Sequence, residues 1–174
     1  MVPAPIPTDE AERLSALRAL MLLDTPPEER FDRLVRFAAE QLDTPIAMVS
    51  LVDGQRQWFK ARVGLDDTES ARDVSFCGHA ILKEEVFVVE DARSDPRFED
   101  NPLVVGEPHI RFYAGAPLSA PGGHRIGTLC VIDTVPRALS TLELSILEAL
   151  RCLANEALVG YEGEERARCC PGFY

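Results

Sequence analysis

The sequence lacks long apolar segments and clusters of basic charge. No apolar run approaches the roughly 18 residues that span a bilayer, and residues 1–7 contain no basic residue that would begin a signal peptide. The chain has 174 residues with 18 basic and 29 acidic side chains, a formal net charge of -11. Nucleic-acid binding normally needs a basic surface. We therefore expect a cytoplasmic protein that binds neither a membrane nor nucleic acid.

The cysteines are too few and too irregularly spaced to form a framework of disulfides or a structural zinc site. The chain contains five, Cys77, Cys130, Cys152, Cys169 and Cys170. An odd number without Cys-x-x-Cys spacing disfavours disulfide scaffolds and structural zinc sites, and reduced thiols in a cytosol fit the pattern. Cys77 and His79 offer two ligands where zinc takes three or four, so we expect no metal site. Nothing in the sequence identifies a cofactor.

Apolar periodicity predicts long helices at the ends of the chain and strands in its middle. Helical spacing predicts helices over residues 8–21, 26–42 and 140–158, with a short one over 78–83. Thr25 with Glu28, and Ser140 with Glu143, read as capping boxes. Apolar or alternating runs predict strands over residues 46–52, 55–63, 86–90, 110–118 and 125–133.

This order of elements predicts an α+β fold. We expect a central antiparallel sheet of about five or six strands, with helices from both termini on one face. Polar residues 64–73 and the irregular stretch 91–108 are predicted loops, and a loop as long as the second is often functional. Residues 1–24 are expected to be an N-terminal helical extension, residues 25–160 one domain, and residues 161–174 a disordered tail.

Seven segments resemble the GAF family of small-molecule sensor domains. In chain order they are TPPEERFD (25–32), VSLVD (49–53), QWFKA (57–61), SFCGHAI (75–81), DARSDPRF (91–98), RFYAGAPL (111–118) and GTLCVID (127–133). The SFCGHAI segment is similar to a marker of one bacterial subgroup. The resemblance covers about residues 25–160.

The resemblance implies a ligand pocket on the sheet face away from the terminal helices, beneath residues 64–85 and 91–109. It also implies a homodimer formed through the terminal helices and an associated output module, such as a kinase or cyclase. The leading hypothesis is a sensory or regulatory domain, not an enzyme, that binds an unidentified small molecule. Such pockets are mostly apolar, with a few polar groups that fix orientation.

Ten residues are candidates for this ligand site: Trp58, Phe76, Cys77, His79, Asp91, Phe98, His109, Arg111, Tyr113 and Thr128. Arg111 either holds a carboxylate or phosphate through two parallel hydrogen bonds or pairs with Asp91 or Asp95. Cys77 is either a reactive thiolate, which needs a nearby cation or helix N-terminus, or a small buried residue beside a hydrogen-bonded histidine.

Two alternative functions stay open. Free methionine-R-sulfoxide reductase is a GAF-fold enzyme with a similar Cys-Gly context, and a redox role would centre on Cys77. Such chemistry needs a second, resolving thiol, but residues 78–129 contain no cysteine and Cys130 falls in a predicted core strand. The other alternative is a structural dimerisation domain without a ligand. Some relatives attach a bilin through a cysteine next to a histidine, but here Gly78 separates Cys77 from His79. The residue set of the cyclic-nucleotide-binding relatives does not map onto this sequence.

Overall fold

The computed structural model describes residues 1–160. Its strands are β1 (Ile46–Val52), β2 (Arg56–Val63), β3 (Glu69–Ala71), β4 (Phe87–Val89), β5 (Phe112–Ser119) and β6 (Arg125–Asp133). They form one six-stranded sheet in the order β3-β2-β1-β6-β5-β4, and all neighbours are antiparallel. The predicted α+β architecture is confirmed. The predicted tail, with Cys169 and Cys170, lies outside the described residues.

The helices are α1 (Glu10–Ala19), α2 (Glu29–Leu42), α3 (Phe76–Ala80), α4 (Pro102–Val105) and α5 (Thr141–Val159), and a 3-10 turn spans Ala92–Ser94. The Ser140–Glu143 capping box of α5 is confirmed, since both reciprocal bonds are present. Two loop predictions were wrong in part. Strand β3 forms within residues 64–73 because it pairs with β2, and α4 forms within residues 91–108 because Asn101 caps its first turn.

The predicted capping role of Thr25 is also wrong, because α2 begins four residues later. The Thr25 hydroxyl donates to the carbonyl oxygen of Leu22 at 2.5 Å and accepts from Lys60 Nζ at 2.7 Å. Lys60 is buried and also pairs with Glu28 at 2.6 Å. A buried ammonium needs such partners. The Thr25 oxygen therefore stabilises a charge in the sheet and not the end of a helix.

Alternation along the strands divides the core into two clusters. All seven residues of β1 are buried. Val49 and Leu51 belong to the cluster packed under α1, α2 and α5, whereas Met48 and Val52 belong to a second cluster under α3 and α4. Successive strand residues point to opposite faces, so the sheet separates a helix side from a pocket side.

A buried ionic network ties α1 to the hairpin between β1 and β2. Arg13 is 1% exposed and donates Nη1 to the carbonyl oxygen of Val52 at 2.7 Å. Arg13 and Arg72 both donate to the carboxylate of Glu10. Burial alone would raise the pKa of Glu10, but these two guanidinium groups lower it to about 2.

Replacing Glu10 with Gln removes the carboxylate that both arginines share. We expect the free energy of unfolding at neutral pH to fall by about 3 kcal/mol. The folded-state pKa of Glu10, about 2, lies below its ordinary value of 4.5. The stabilisation is therefore fully present above pH 4.5 and is lost as the pH falls toward 2.

Urea unfolding at neutral pH and at about pH 3 measures both effects. Glu12→Gln, at an exposed position of the same helix, is the matched control and should change stability by less than about 0.5 kcal/mol. An equal loss of stability for Glu10→Gln at both pH values would contradict the role given to the carboxylate.

Candidate ligand pocket and its buried thiols

A cavity of about 410 Å³ lies on the pocket side of the sheet. Its floor consists of sheet side chains, among them Ile46, Met48, Phe59, Tyr113 and Ile132. Its cover is formed by residues 64–67, the start of α3 and residues 103–110. Small-molecule sites are typically clefts of about 300–1,000 Å³ with mostly apolar walls. The cavity therefore has the size and the lining of a ligand pocket.

The charged groups at the cavity are all acidic. Asp66, Asp67 and Glu107 line its rim and are exposed to solvent, and the lining residues include no Lys, Arg or His. Arg111 lies next to the lining residue Ile110 but donates Nη1 to the carbonyl oxygens of Val104 and Ile110, each at 2.9 Å. This electrostatic environment disfavours an anionic ligand.

A chain of polar side chains crosses the floor. Ser50 Oγ donates to Gln57 Oε1 at 3.2 Å, and Gln57 Nε2 donates to Ser70 Oγ at 2.6 Å. Gln57 and Ser70 line the cavity. These groups, which the sequence reasoning missed, can orient a ligand over an otherwise apolar floor. The available signal was Ser50, the one polar residue in the buried run IAMVSLV.

Two hydroxyl groups converge on the sulfur of Cys77. Tyr113 Oη donates to Sγ at 3.3 Å and Thr128 Oγ1 donates to it at 3.2 Å. All three side chains are buried, and Cys77 lines the cavity. A thiol sulfur is a weak acceptor, whereas hydrogen bonds to an ionised acceptor are strong. The arrangement therefore favours the thiolate form of Cys77.

A second thiol lies beside Cys77. Burial alone would raise the pKa of Cys77, but hydrogen bonds with Cys130, Thr128, Tyr113 and Ser50 outweigh this effect and lower the pKa from 9.0 to about 7. The hydrogen bond to Cys77, together with burial, raises the pKa of Cys130. Burial likewise raises the pKa of the Tyr113 hydroxyl. Cys77 is thus the acidic thiol, while Cys130 and Tyr113 keep their protons and act as donors.

Gly115 makes room for the Tyr113 hydroxyl. The two residues are two positions apart on β5 and so share a face of the sheet. A Cβ atom at Gly115 would lie 2.2 Å from Tyr113 Oη. Gly115 is also the cross-strand partner of Cys130, which places the hydroxyl close to both sulfurs. A side chain at position 115 would displace the hydroxyl from Cys77.

Comparison with known proteins agrees with this architecture. A family model of the GAF domain matches residues 26–158. This chain belongs to the GAF domain family. A cyclic di-GMP phosphodiesterase of Pseudomonas aeruginosa is 48% identical over 149 residues, which make up 85% of this chain and 25% of that protein. The chain thus matches about a quarter of the length of that curated relative.

Solved structures share the fold at low identity. The GAF domain of an Acinetobacter phosphoenolpyruvate-protein phosphotransferase is 20% identical with a TM-score of 0.59, over 85% of this chain and 92% of that one. Free methionine-R-sulfoxide reductase of Neisseria meningitidis is 17% identical with a TM-score of 0.59, over 89% and 93%. These neighbours establish the architecture of the GAF domain alone.

The structure brings some of the candidate residues of this GAF domain together. Phe76, Cys77 and Tyr113 line the cavity. Thr128 lies behind Cys77 and bonds to it. Phe98 supports the wall from outside, since its ring stacks on Phe76 with centroids 4.1 Å apart.

Other candidate residues lie away from the cavity. Trp58 packs in the helix-side cluster, whereas its neighbour Phe59 faces the cavity. Successive residues of a strand point to opposite faces of the sheet, so only one of the two can line the cavity. The Asp91 carboxylate accepts from the backbone N–H of Arg93 and so caps the 3-10 turn. The exposed His109 side chain lies 3.6 Å from Glu107. Arg111 donates to carbonyl oxygens, and the predicted ion pair with Asp91 or Asp95 is not among the ion pairs of residues 1–160.

His79 is buried but does not activate Cys77. Its Nε2 donates to the carbonyl oxygen of Val2 at 2.9 Å, and its ring packs edge-on against Phe98. Burial lowers the pKa of His79, which keeps the imidazole neutral at physiological pH. The ring therefore fastens the N-terminal segment to α3. Within residues 1–160 no three His, Cys, Asp or Glu side chains cluster as metal ligands.

None of the helices in residues 1–160 combines the length and the apolar character needed to cross a bilayer.

The hydroxyls of Tyr113 and Thr128 that donate to Cys77 Sγ, together called the Cys77 cradle, predict an unusual pH dependence of alkylation. We expect the rate of iodoacetamide labelling at Cys77, followed by peptide mass mapping, to have its midpoint at about pH 7. Thr128→Val removes one donor to the thiolate and should raise that midpoint by about one pH unit. Thr134→Val, at an exposed position beyond the end of β6, is the control. A midpoint near 9, the ordinary value, would mean that the hydroxyls do not stabilise a thiolate.

Proposed function

We propose that this GAF domain is the sensory module of a signalling protein and binds a small molecule in the cavity. The observation that carries the proposal is the cavity of about 410 Å³ between the sheet and a cover of short segments. Its floor joins apolar side chains to a few hydrogen-bonding groups, the combination found in ligand sites. The acidic rim favours a neutral or cationic ligand over a phosphate-bearing one.

Ligand binding would change the population of arrangements of the cover. The cover is made of short elements: α3 has five residues and α4 has four. A ligand that contacts both the floor and these segments has differential affinity for the closed arrangement, which is the requirement for a population shift. The change in arrangement would then be transmitted to α2 and α5 through the sheet, which is a single layer.

We further propose that the output partner acts on cyclic di-GMP. Support comes from the 48% identity to a cyclic di-GMP phosphodiesterase, a protein about four times the matched length. A domain that binds its own small molecule can control such an output without contacting its substrate. In this proposal the catalytic step belongs to the output partner and not to this domain.

Leu103→Trp tests the cavity directly. Leu103 lines the cavity from α4, so an indole at this position should fill it and prevent binding. Val105→Trp is the matched control, because Val105 lies on the same helix and is 64% exposed. Native mass spectrometry of protein purified from bacterial cells should show a retained small molecule in the wild type and in Val105→Trp, but not in Leu103→Trp.

A thermal-shift screen of neutral and cationic fragments supplements this test. A ligand at a hundred times its dissociation constant stabilises the folded state by about 2.7 kcal/mol. If no molecule is retained and no fragment raises the melting temperature of the wild type, the cavity is not a ligand site and the domain is a structural one.

Dimerisation through the terminal helices forms the second half of the proposal. On α5 the exposed apolar residues Leu142 and Leu153 lie on one face about three turns apart, Val159 is exposed at the end of the helix, and α2 exposes Phe37. Their exposed fractions lie between 48% and 70%, an unusual arrangement for a monomer surface when side chains share a face. A second copy of the chain is the partner we propose. In a two-fold symmetric dimer the same surface patch of each subunit forms the interface, so one apolar face can pair with its own copy.

Leu153→Glu should convert the dimer to a monomer in light scattering. Leu153 is 51% exposed, so a carboxylate there is tolerated by the fold but not by an apolar interface. Leu150 is unsuitable for the test because it is only 4% exposed and packs in the helix-side core. Val105→Glu, on the pocket side, is the control that should leave the mass unchanged. A Leu153→Glu protein that retains the dimer mass would exclude α5 as the interface.

A further inference from the structure

We propose that Cys77 and Cys130 form a reversible disulfide when a hydroperoxide enters the cavity, so that this domain also senses oxidants. Both cysteines are free thiols in the structure. The proposal goes beyond ligand binding and does not depend on an occupied cavity.

Three observations place the two sulfurs close together. Thr128, which donates to Cys77 Sγ at 3.2 Å, lies two residues before Cys130 on the same face of β6. Tyr113 Oη lies 3.3 Å from Cys77 Sγ and directly above Gly115, the cross-strand partner of Cys130. Each thiol also shifts the pKa of the other, Cys77 downward and Cys130 upward. Cys77 and Cys130 therefore share one buried polar cluster.

The two thiols differ in access and in chemistry. Cys77 lines the cavity, whereas Cys130 is 0% exposed and belongs to the strand behind it. Donors that converge on Cys77 favour its thiolate, and the thiolate is the nucleophile in such reactions. Cys130 keeps its proton and is within reach of the first sulfur. Cys77 is thus placed as the attacking thiol and Cys130 as the resolving thiol.

The reaction proceeds in two balanced steps. The Cys77 thiolate attacks the terminal oxygen of the hydroperoxide, an S–O bond forms and the O–O bond breaks. The alkoxide leaves, takes a proton and departs as an alcohol, and Cys77 becomes a sulfenic acid. Cys130 then attacks this sulfur, the S–S bond forms, the S–O bond breaks, and the hydroxide leaves with the Cys130 proton as water. The two thiols supply two electrons, and a dithiol reductant restores them by exchange.

The neighbouring side chains suit both steps. Tyr113 and Thr128 hold hydroxyl donors at the point where the attacking thiolate and the leaving oxygen lie. Apolar residues Met48, Phe59 and Phe76 line the approach, so an organic hydroperoxide should react faster than hydrogen peroxide. The disulfide would link α3, part of the cover, covalently to β6 in the sheet.

The test treats the reduced full chain with cumene hydroperoxide or hydrogen peroxide, blocks remaining thiols by alkylation, and maps peptides without reduction. We expect a linked Cys77–Cys130 peptide that dithiothreitol removes, formed faster with cumene hydroperoxide. At neutral pH, oxidation of Cys77 should be about fivefold faster than that of a thiol of ordinary pKa, because the larger thiolate fraction outweighs its lower nucleophilicity.

Variants separate the two roles. In Cys130→Ala, Cys77 should stop at the sulfenic acid, which dimedone traps. Cys152→Ala, a change outside the cluster, is the matched control and should still form the link. Thr128→Val should slow oxidation of Cys77 yet leave the link as the product, which keeps the proposal testable if Cys130→Ala fails to fold. A wild-type protein without the link, or with Cys77 oxidised no faster than free cysteine, would overturn the proposal.

Discussion

The antiparallel pairing of β1 with β6 is the constraint on which both halves of the molecule depend. It sets Met48 against Cys130 and Ser50 against Thr128, all on the pocket side. The intervening residues face the terminal helices and are apolar. Within the paired part of β1 and β6, the buried polar side chains therefore lie on the pocket side, where Ser50 bonds to Gln57 and Thr128 bonds to Cys77. Burial of such groups is tolerated on that condition, so the chemistry of the pocket and the stability of the sheet have a common origin.

This division also provides a route by which a change in the pocket could be transmitted to the terminal helices. Tyr113 contacts the Cys77 cradle, while its chain neighbours Phe112 and Ala114 lie in the helix-side cluster. A close-packed interior transmits displacement instead of absorbing it. If β5 shifted to accommodate a ligand or a covalent link at Cys77, α5 would shift with it, because β5 and α5 are packed together and Ser119 is hydrogen-bonded to Asn155.

Local patterns were enough to predict most of the fold, because periodicity and capping are encoded by near neighbours. The ends of α5 and the apolar run of β1 are of this kind. Features set by distant partners were not predictable: Thr25 is taken by Lys60 instead of α2, and β3 exists only through its pairing with β2. The site followed the same division. Cys77 stood out in its motif, but its proximity to Cys130 arises from the register of the sheet. Alternation along β2 also could not show that Phe59, and not Trp58, faces the cavity.

The two side-chain clusters meet at the sheet and have no member in common. Side-chain substitutions on one face leave the side-chain contacts of the other face in place as long as the backbone of the sheet does not move. In evolutionary terms, the pocket-side and helix-side positions of this domain can then vary separately. A protein engineer gains the same freedom: the cavity of this scaffold can be rebuilt for a new molecule while the helices that would carry its message are kept as they are.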